Sequence, residues 1–138
     1  FAGGIRAVLQ AAISTTDADF VVKLIDVWPD NTEYPGYQML VRGDIMRGRY
    51  RRSFSAPEPF TPGEPTEVAF TMPDIAHTFR KGHRIMVQVQ SSWFPLADRN
   101  PQQFVDIYRC AASDFIPCDV RIYHDRRRPS RLEVLRLR

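Results

Sequence analysis

Residues that could carry out nucleophilic or acid–base catalysis are few and widely spaced in this sequence. His77, His83 and His124 are the only histidines, and no two of them have the H-x-x-x-H spacing of a zinc site. The motif G-x-S-x-G, which places a serine nucleophile on a sharp strand-to-helix turn, is absent. Because acid–base catalysis needs a positioned partner and none is recognisable, we expect structural or solvent-facing histidines. The sequence therefore predicts no catalytic residue, no cofactor site and no metal site.

The acidic pair Asp17 and Asp19 could resemble the two-carboxylate site of a glycosidase. Such a site also needs a sugar-binding cleft around the carboxylates, and aspartate is common in a turn that precedes a strand. We interpret this pair as turn residues.

Cys110 and Cys118 bracket a short stretch that contains Asp114 and Pro117. A lone C-x7-C pair lacks the four ligands of a structural zinc site. A disulfide that closes this loop in an oxidising compartment and two unpaired thiols both agree with the spacing, which does not decide between them.

The segment with the most unusual composition is residues 91–101, where two large aromatic residues precede a proline and a polar run. Its candidate functional side chains are Trp93, Phe94, Asp98, Arg99 and Asn100. Loops of this kind carry function more often than sheet faces do, and an aromatic ring beside polar groups also suits a sugar-binding platform. In the structural alternative, Trp93 and Phe94 cover one end of a sandwich while Asp98 and Arg99 form an ion pair that fixes the loop.

The net charge of +3 comes largely from arginines near the end of the chain, at positions 126, 127, 128, 131, 136 and 138. This arginine cluster contains no aromatic stacking platform, so we expect a solvated loop and no nucleic-acid partner. No apolar run approaches the roughly 18 residues that cross a bilayer, so we expect no membrane partner.

The elements that must position these residues are predicted to be β-strands. Apolar residues alternate with polar ones at 5–13, 68–72 and 84–91, and residues 20–28 form a nearly continuous apolar run typical of a central strand. Further candidate strands are residues 37–42, 104–108, 120–124 and 132–137. Residues 43–50 are compatible with either a bent strand or a short helical turn. Turns are predicted at Pro73-Asp74 and Lys81-Gly82.

Some eight short strands without a sustained helical repeat indicate an all-β fold, an antiparallel β-sandwich or jelly roll. The length of 138 residues suits a single domain.

Several runs together resemble the C-terminal jelly roll, a galactose-binding-like β-sandwich, of the cocaine esterase and X-Pro dipeptidyl-peptidase hydrolases. Within that group they are most similar to α-amino-acid ester hydrolases and glutaryl-cephalosporin acylases. The runs are DADFVVKLIDV at 17–27, GYQMLVRGDIMRGRY at 36–50, FRKGHRIMVQVQSSWFP at 79–95, DRNP at 98–101, IYHD at 122–125 and PSRL at 129–132.

The resemblance implies a non-catalytic domain that packs on an α/β-hydrolase catalytic domain of the same polypeptide. The family's Ser-His-Asp triad lies upstream of the matched part, so no catalytic residue transfers to this chain. Residues 93–100 become the predicted contact with the catalytic domain.

The resemblance also implies a secreted or periplasmic bacterial parent enzyme and a chain that starts after the first strands of the jelly roll. An edge or apolar face left open in this way could favour a homo-oligomer. The alternative function is a carbohydrate-binding module, because jelly rolls often bind sugars.

Overall fold

The computed structural model describes residues 1–136, which form two antiparallel β-sheets. The strands are β1 (Ala2–Ile13), β2 (Asp19–Val27), β3 (Gln38–Arg47), β4 (Thr66–Ala76), β5 (Arg84–Gln90), β6 (Val120–Tyr123) and β7 (Arg131–Glu133). Two short 3-10 turns span Gly48–Tyr50 and Ala112–Asp114. Within the described part of the chain no helix is both long and apolar enough to cross a membrane. The predicted all-β antiparallel sandwich is confirmed.

One sheet has the order β4-β1-β6, with β7 also pairing β1, and the other has the order β3-β2-β5. β1 and β2 are therefore the central strands, and they pack face to face through alternate apolar residues. The main core residues of β1 are Ile5, Ala7, Leu9, Ala11 and Ile13, which face Phe20, Val22 and Leu24 of β2. The predicted alternation in β1 and the predicted central position of β2 are confirmed.

Residues 43–50, predicted to be either a bent strand or a short helical turn, contain both structures in succession. β3 continues through Arg47, and the chain then turns in a 3-10 turn at Gly48–Tyr50. Gly48 is required here, because a Cβ at this position would lie 2.5 Å from the carbonyl oxygen of Ala18. Residues 43–50 are thus strand first and helical turn afterwards.

The predicted turn at Pro73-Asp74 is wrong, because β4 continues through both residues to Ala76. β4 lies at the edge of its sheet, and its pairing with β1 shifts register between Gly3 and Ile5. An edge strand with a bulge tolerates proline, since the missing N–H has no ladder partner to lose. The predicted turn at Lys81-Gly82 is confirmed, with Gly82 at a φ of 90°.

The predicted strand at residues 104–108 is also wrong, because this segment consists of bends and turns. Its backbone is hydrogen-bonded to polar side chains instead of a neighbouring strand. The Thr16 hydroxyl accepts from the Phe104 N–H, and Arg49 donates to the Val105 carbonyl. At the end of the chain the strand is limited to Arg131–Glu133, and Leu137 of the predicted strand lies outside the described residues.

Candidate functional site

The loop at residues 91–101, here called the aromatic loop, leaves the end of β5 and folds back over the outer face of the β3-β2-β5 sheet. Lys23 and Gly43 pair across β2 and β3, and Trp93 lies on both. The Lys23 ammonium lies 4.4 Å from the centroid of the Trp93 ring. A Cβ at Gly43 would come within 2.7 Å of that ring. Trp93 is therefore seated on the sheet face, and not at the predicted end of the sandwich.

Asn100, which the sequence placed in the polar tip of the loop, is buried beside two carboxylates. Its Nδ2 donates to Asp17 Oδ2 at 3.0 Å and to Asp19 Oδ1 at 2.8 Å. Its Oδ1 accepts from the Gln102 N–H at 2.8 Å. Asp17 lies in the connection before β2, as interpreted, whereas Asp19 is the first residue of that strand and not part of a turn. Both side chains are buried. They are the internal acceptors that hold the end of the aromatic loop.

Two arginines complete this carboxylate cluster, which we define as Asp17, Asp19, Arg47, Arg49 and Asn100. The Arg49 guanidinium contacts Asp17 Oδ2 at 2.7 Å through Nε and through Nη2. The Arg49 N–H also donates to Asp17 Oδ1. Arg47 approaches Asp19 at 3.3 Å and donates to the Asp98 carbonyl at 3.1 Å. The pairing of β3 with β2 thus places Arg47 beside Asp19, and the 3-10 turn that follows places Arg49 beside Asp17.

Burial dominates the electrostatics of Asp19. Removal from water raises the pKa of Asp19 above its ordinary value, and the proximity of Asp17 acts in the same direction. The hydrogen bond from Asn100 and the charge of Arg47 oppose this rise. The buried carboxylates therefore accept hydrogen bonds from side chains of the cluster, namely Arg47, Arg49 and Asn100, in place of water.

The cluster also fixes the segment that follows the aromatic loop. Arg49 donates to the carbonyls of Val105, at 2.7 Å, and Gln103. Its guanidinium carbon lies 4.9 Å from the centroid of the Phe104 ring. One buried arginine thus joins the 3-10 turn, the start of β2 and residues 103–105.

The predicted ion pair between Asp98 and Arg99 is not formed. Arg99 lies over the rings of Phe94 and Phe115, at 5.8 and 5.3 Å from their centroids. The Asp98 backbone, and not its side chain, receives the contact from Arg47. The base of the loop is therefore fixed through Asn100 and the Asp98 carbonyl.

The outer part of the aromatic loop is apolar and exposed. Phe94 is 65% exposed and Leu96 is 70% exposed. Beside the loop lies an open cleft of about 750 Å³, whose rim carries the exposed rings of Phe54 and Tyr108. The other residues that line the cleft include Asp44, Arg47, Tyr50, Arg51, Ala97 and Asp98, with no histidine or cysteine among those described. The surface offers apolar contact and charge, without an acid–base pair beside a nucleophile.

A second buried carboxylate lies at the opposite end of β2. Asp26 accepts from His77 Nε2 at 2.9 Å and pairs with His83 Nδ1 at 2.8 Å. The rings pack on aromatic neighbours: His77 on Phe79, and His83 on Trp28. Asp26 holds the connection between β4 and β5, and no serine or cysteine lines the neighbouring cleft within the described chain. The structural role expected for these two histidines agrees with this geometry.

Both cysteines are free thiols. The Thr15 hydroxyl contacts Cys118 Sγ, whereas Cys110 Sγ contacts the Ile107 carbonyl. Of the two alternatives for this pair, the structure has the unpaired thiols.

Comparison with known proteins identifies the family. Residues 1–133 match the model of the X-Pro dipeptidyl-peptidase C-terminal non-catalytic domain. The chain belongs to this family. Cocaine esterase from Rhodococcus sp. (strain MB1 Bresler) is 43% identical over 98 residues, which are 71% of this chain and 16% of that protein. The family membership confirms the predicted resemblance and the prediction that the domain is non-catalytic.

Two solved structures show the same fold at high similarity. An aminopeptidase from a marine sediment Thaumarchaeota archaeon superposes with a TM-score of 0.92 and 45% identity, over 95% of this chain and 22% of that one. An α-amino acid ester hydrolase superposes with a TM-score of 0.91 and 45% identity, over 94% of this chain and 22% of that one. The chain thus spans between 16% and 22% of the length of these relatives.

Proposed function

We propose that this domain packs on an α/β-hydrolase catalytic domain of the same polypeptide and supports its substrate pocket and its assembly. The relatives are an esterase, an aminopeptidase and an amino acid ester hydrolase, so we assign the whole polypeptide to serine-dependent ester or amide hydrolysis. This chain would supply shape and rigidity, and the catalytic domain would supply the triad.

One observation carries the proposal: the aromatic loop is fixed at its base by buried charges while its apolar tip faces solvent. Such a loop loses little conformational entropy when a partner covers it, because Asn100 already holds it in place. Exposed Phe94 and Leu96, with Phe54 and Tyr108 across the cleft, form the kind of apolar and aromatic patch that marks a protein contact.

Matched leucine variants of the whole polypeptide test the docking surface. Leu96 in the aromatic loop is 70% exposed, and Leu135 beyond β7 is 67% exposed. We expect Leu96→Asp to separate the thermal unfolding of the domain from that of the catalytic domain and to lower kcat/KM for an amino-acid ester. Leu135→Asp should leave both unchanged. If the two variants behave alike, the aromatic loop does not meet the catalytic domain.

A carbohydrate-binding module remains the second candidate, because Tyr108 and Phe54 expose their rings beside an open cleft. Glycan-array binding by the whole polypeptide that is lost in Tyr108→Ala, with hydrolysis retained, would favour this alternative.

A further inference from the structure

A second cleft, here called the histidine cleft, lies between the β2–β3 connection and the β4–β5 connection. Its volume of about 450 Å³ is in the range of small-molecule binding sites. The residues that line it are Asp26, Trp28, Thr32, Met39, His77, Thr78, Arg80 and His83. No residue of the aromatic loop is among them, so the histidine cleft is separate from the proposed docking surface.

Asp26 fixes two imidazole rings in this cleft. His77 Nε2 and His83 Nδ1 face its carboxylate, which is 2% exposed, and the rings pack on Phe79 and Trp28. In a neutral imidazole the nitrogen that faces a carboxylate carries the proton, so the other nitrogen is an acceptor. Among the described residues, neither His77 Nδ1 nor His83 Nε2 has a hydrogen-bond partner. These two fixed acceptors suit a ligand that carries O–H or N–H groups.

Hydrogen-bond donors belong to the same lining. Arg80 is exposed and, within the described chain, forms no ion pair. The Nε1 N–H of Trp28 is buried without an acceptor among the described residues, which is costly, and an oxygen atom of a ligand would supply that acceptor. The Thr32 hydroxyl donates to the Pro29 carbonyl at 2.8 Å and can still accept. The cleft therefore offers donors as well as acceptors.

The lining is aromatic on one side and balanced in charge. Trp28 packs edge-on against Tyr34 and Tyr37, with ring centroids 6.2 and 5.7 Å away, and the two tyrosines are 55% and 52% exposed. Because the three rings contact one another, they leave no room between them for the cation of an aromatic cage. Apart from the histidines, the ionisable lining residues are one acid, Asp26, and one base, Arg80. This balance favours a neutral ligand.

We propose that the histidine cleft binds a neutral sugar, namely a pyranose ring with several hydroxyl groups. A hydroxyl both donates and accepts, so it can pair with the outward nitrogens of His77 and His83 and with the donors of Arg80 and Trp28. The apolar face of the ring would lie against the aromatic side of the cleft. This site does not depend on how the domain packs on a catalytic domain, and it lies at the opposite end of β2 from the cleft that carries Tyr108.

Binding of the whole polypeptide to an array of neutral mono- and oligosaccharides, followed by titration of the bound glycan, tests the site. We expect Arg80→Gln to weaken binding about 10-fold or more, because a hydrogen bond from a charged donor is lost. Trp28→Phe keeps an aromatic ring and removes the N–H, so it should weaken binding about 3-fold or more. Lys81→Gln is the matched control, since Lys81 is exposed in the same connection and does not line the cleft. Its Kd should be unchanged, and urea unfolding should show the same midpoint for all three variants.

Acylation of the histidines by diethylpyrocarbonate, mapped by mass spectrometry, supplies a second measurement. At about ten times Kd, the bound glycan should slow the modification of His77 and His83 about 10-fold. His124 does not line the cleft and should react at an unchanged rate.

Three results would overturn the sugar site: no glycan of the array is bound, Lys81→Gln weakens binding as much as Arg80→Gln, or Tyr108→Ala abolishes binding that Arg80→Gln leaves intact. None of them changes the outcome of the Leu96→Asp comparison, so the proposed function is tested separately.

Discussion

Replacement of Asn100 tests whether the carboxylate cluster holds the aromatic loop. Asn100 makes two hydrogen bonds to buried carboxylates and accepts a third from the Gln102 backbone. A hydrogen bond to a charged group contributes about 1.5 to 3 kcal/mol, and its loss leaves the buried partner without a donor. Because such losses overlap, we expect Asn100→Ala to lower the free energy of unfolding by about 3 to 5 kcal/mol.

The variant Asn100→Asp separates charge from shape, since it keeps the side-chain volume and adds a third carboxylate to the cluster. Near neutral pH it should be less stable than Asn100→Ala, because three like charges would then share one buried site. It should recover relative to Asn100→Ala as the pH falls, since protonation removes the repulsion and restores a donor.

The measurement is urea unfolding followed by tryptophan fluorescence, with Asn31→Ala as the control. Asn31 is the other asparagine of the chain and is exposed, so its replacement should change the stability by less than about 0.5 kcal/mol. A loss below about 1 kcal/mol for Asn100→Ala, or an Asn100→Asp variant that matches it at every pH, would refute the reasoning.

Three further predictions concern the same region. Gly48→Ala should cost about 2 to 3 kcal/mol in urea unfolding, because its Cβ would lie 2.5 Å from the Ala18 carbonyl oxygen. Asp19→Asn should gain stability relative to the wild type as the pH rises above about 4, since the raised pKa of Asp19 means that ionisation costs more in the folded chain than in the unfolded one; a difference independent of pH would contradict this. Gly43→Ala should lift the Trp93 ring from the sheet, which would appear as a red shift of the tryptophan emission.

Strands whose faces differ in polarity were predictable from the sequence. The alternation of β1 and the apolar run of β2 depend only on which side chains meet the core, so the sequence pattern indicates them directly. Pro73 misled the prediction because a proline stops a central strand but not an edge strand, and edge position is a property of the assembled sheet. The segment at 104–108 has the residue types of a strand. Its Phe104 N–H and Val105 carbonyl, however, are hydrogen-bonded to the side chains of Thr16 and Arg49.

The aromatic loop was predicted from its composition, whereas its anchor was not. Asn100 meets Asp17 across 83 positions of the sequence, and Arg49 meets Asp17 across 32. No local pattern connects such residues. A signal was available only for the second buried carboxylate: Asp26 shares the core-facing side of β2 with Leu24 and therefore needed a buried partner.

The carboxylate cluster is better understood as a positioning device than as a source of stability. Desolvation of Asp17, Asp19 and Arg49 offsets most of their mutual attraction, so well-packed apolar residues of similar volume could give comparable stability. An apolar contact, however, would allow several placements of the chain, whereas Asn100 fits only where one amide reaches two carboxylates at 2.8 and 3.0 Å. That geometry fixes where the exposed tip of the aromatic loop lies. In the proposed function, the domain acts on a neighbouring active site through the position of its surface, and the cluster sets that position.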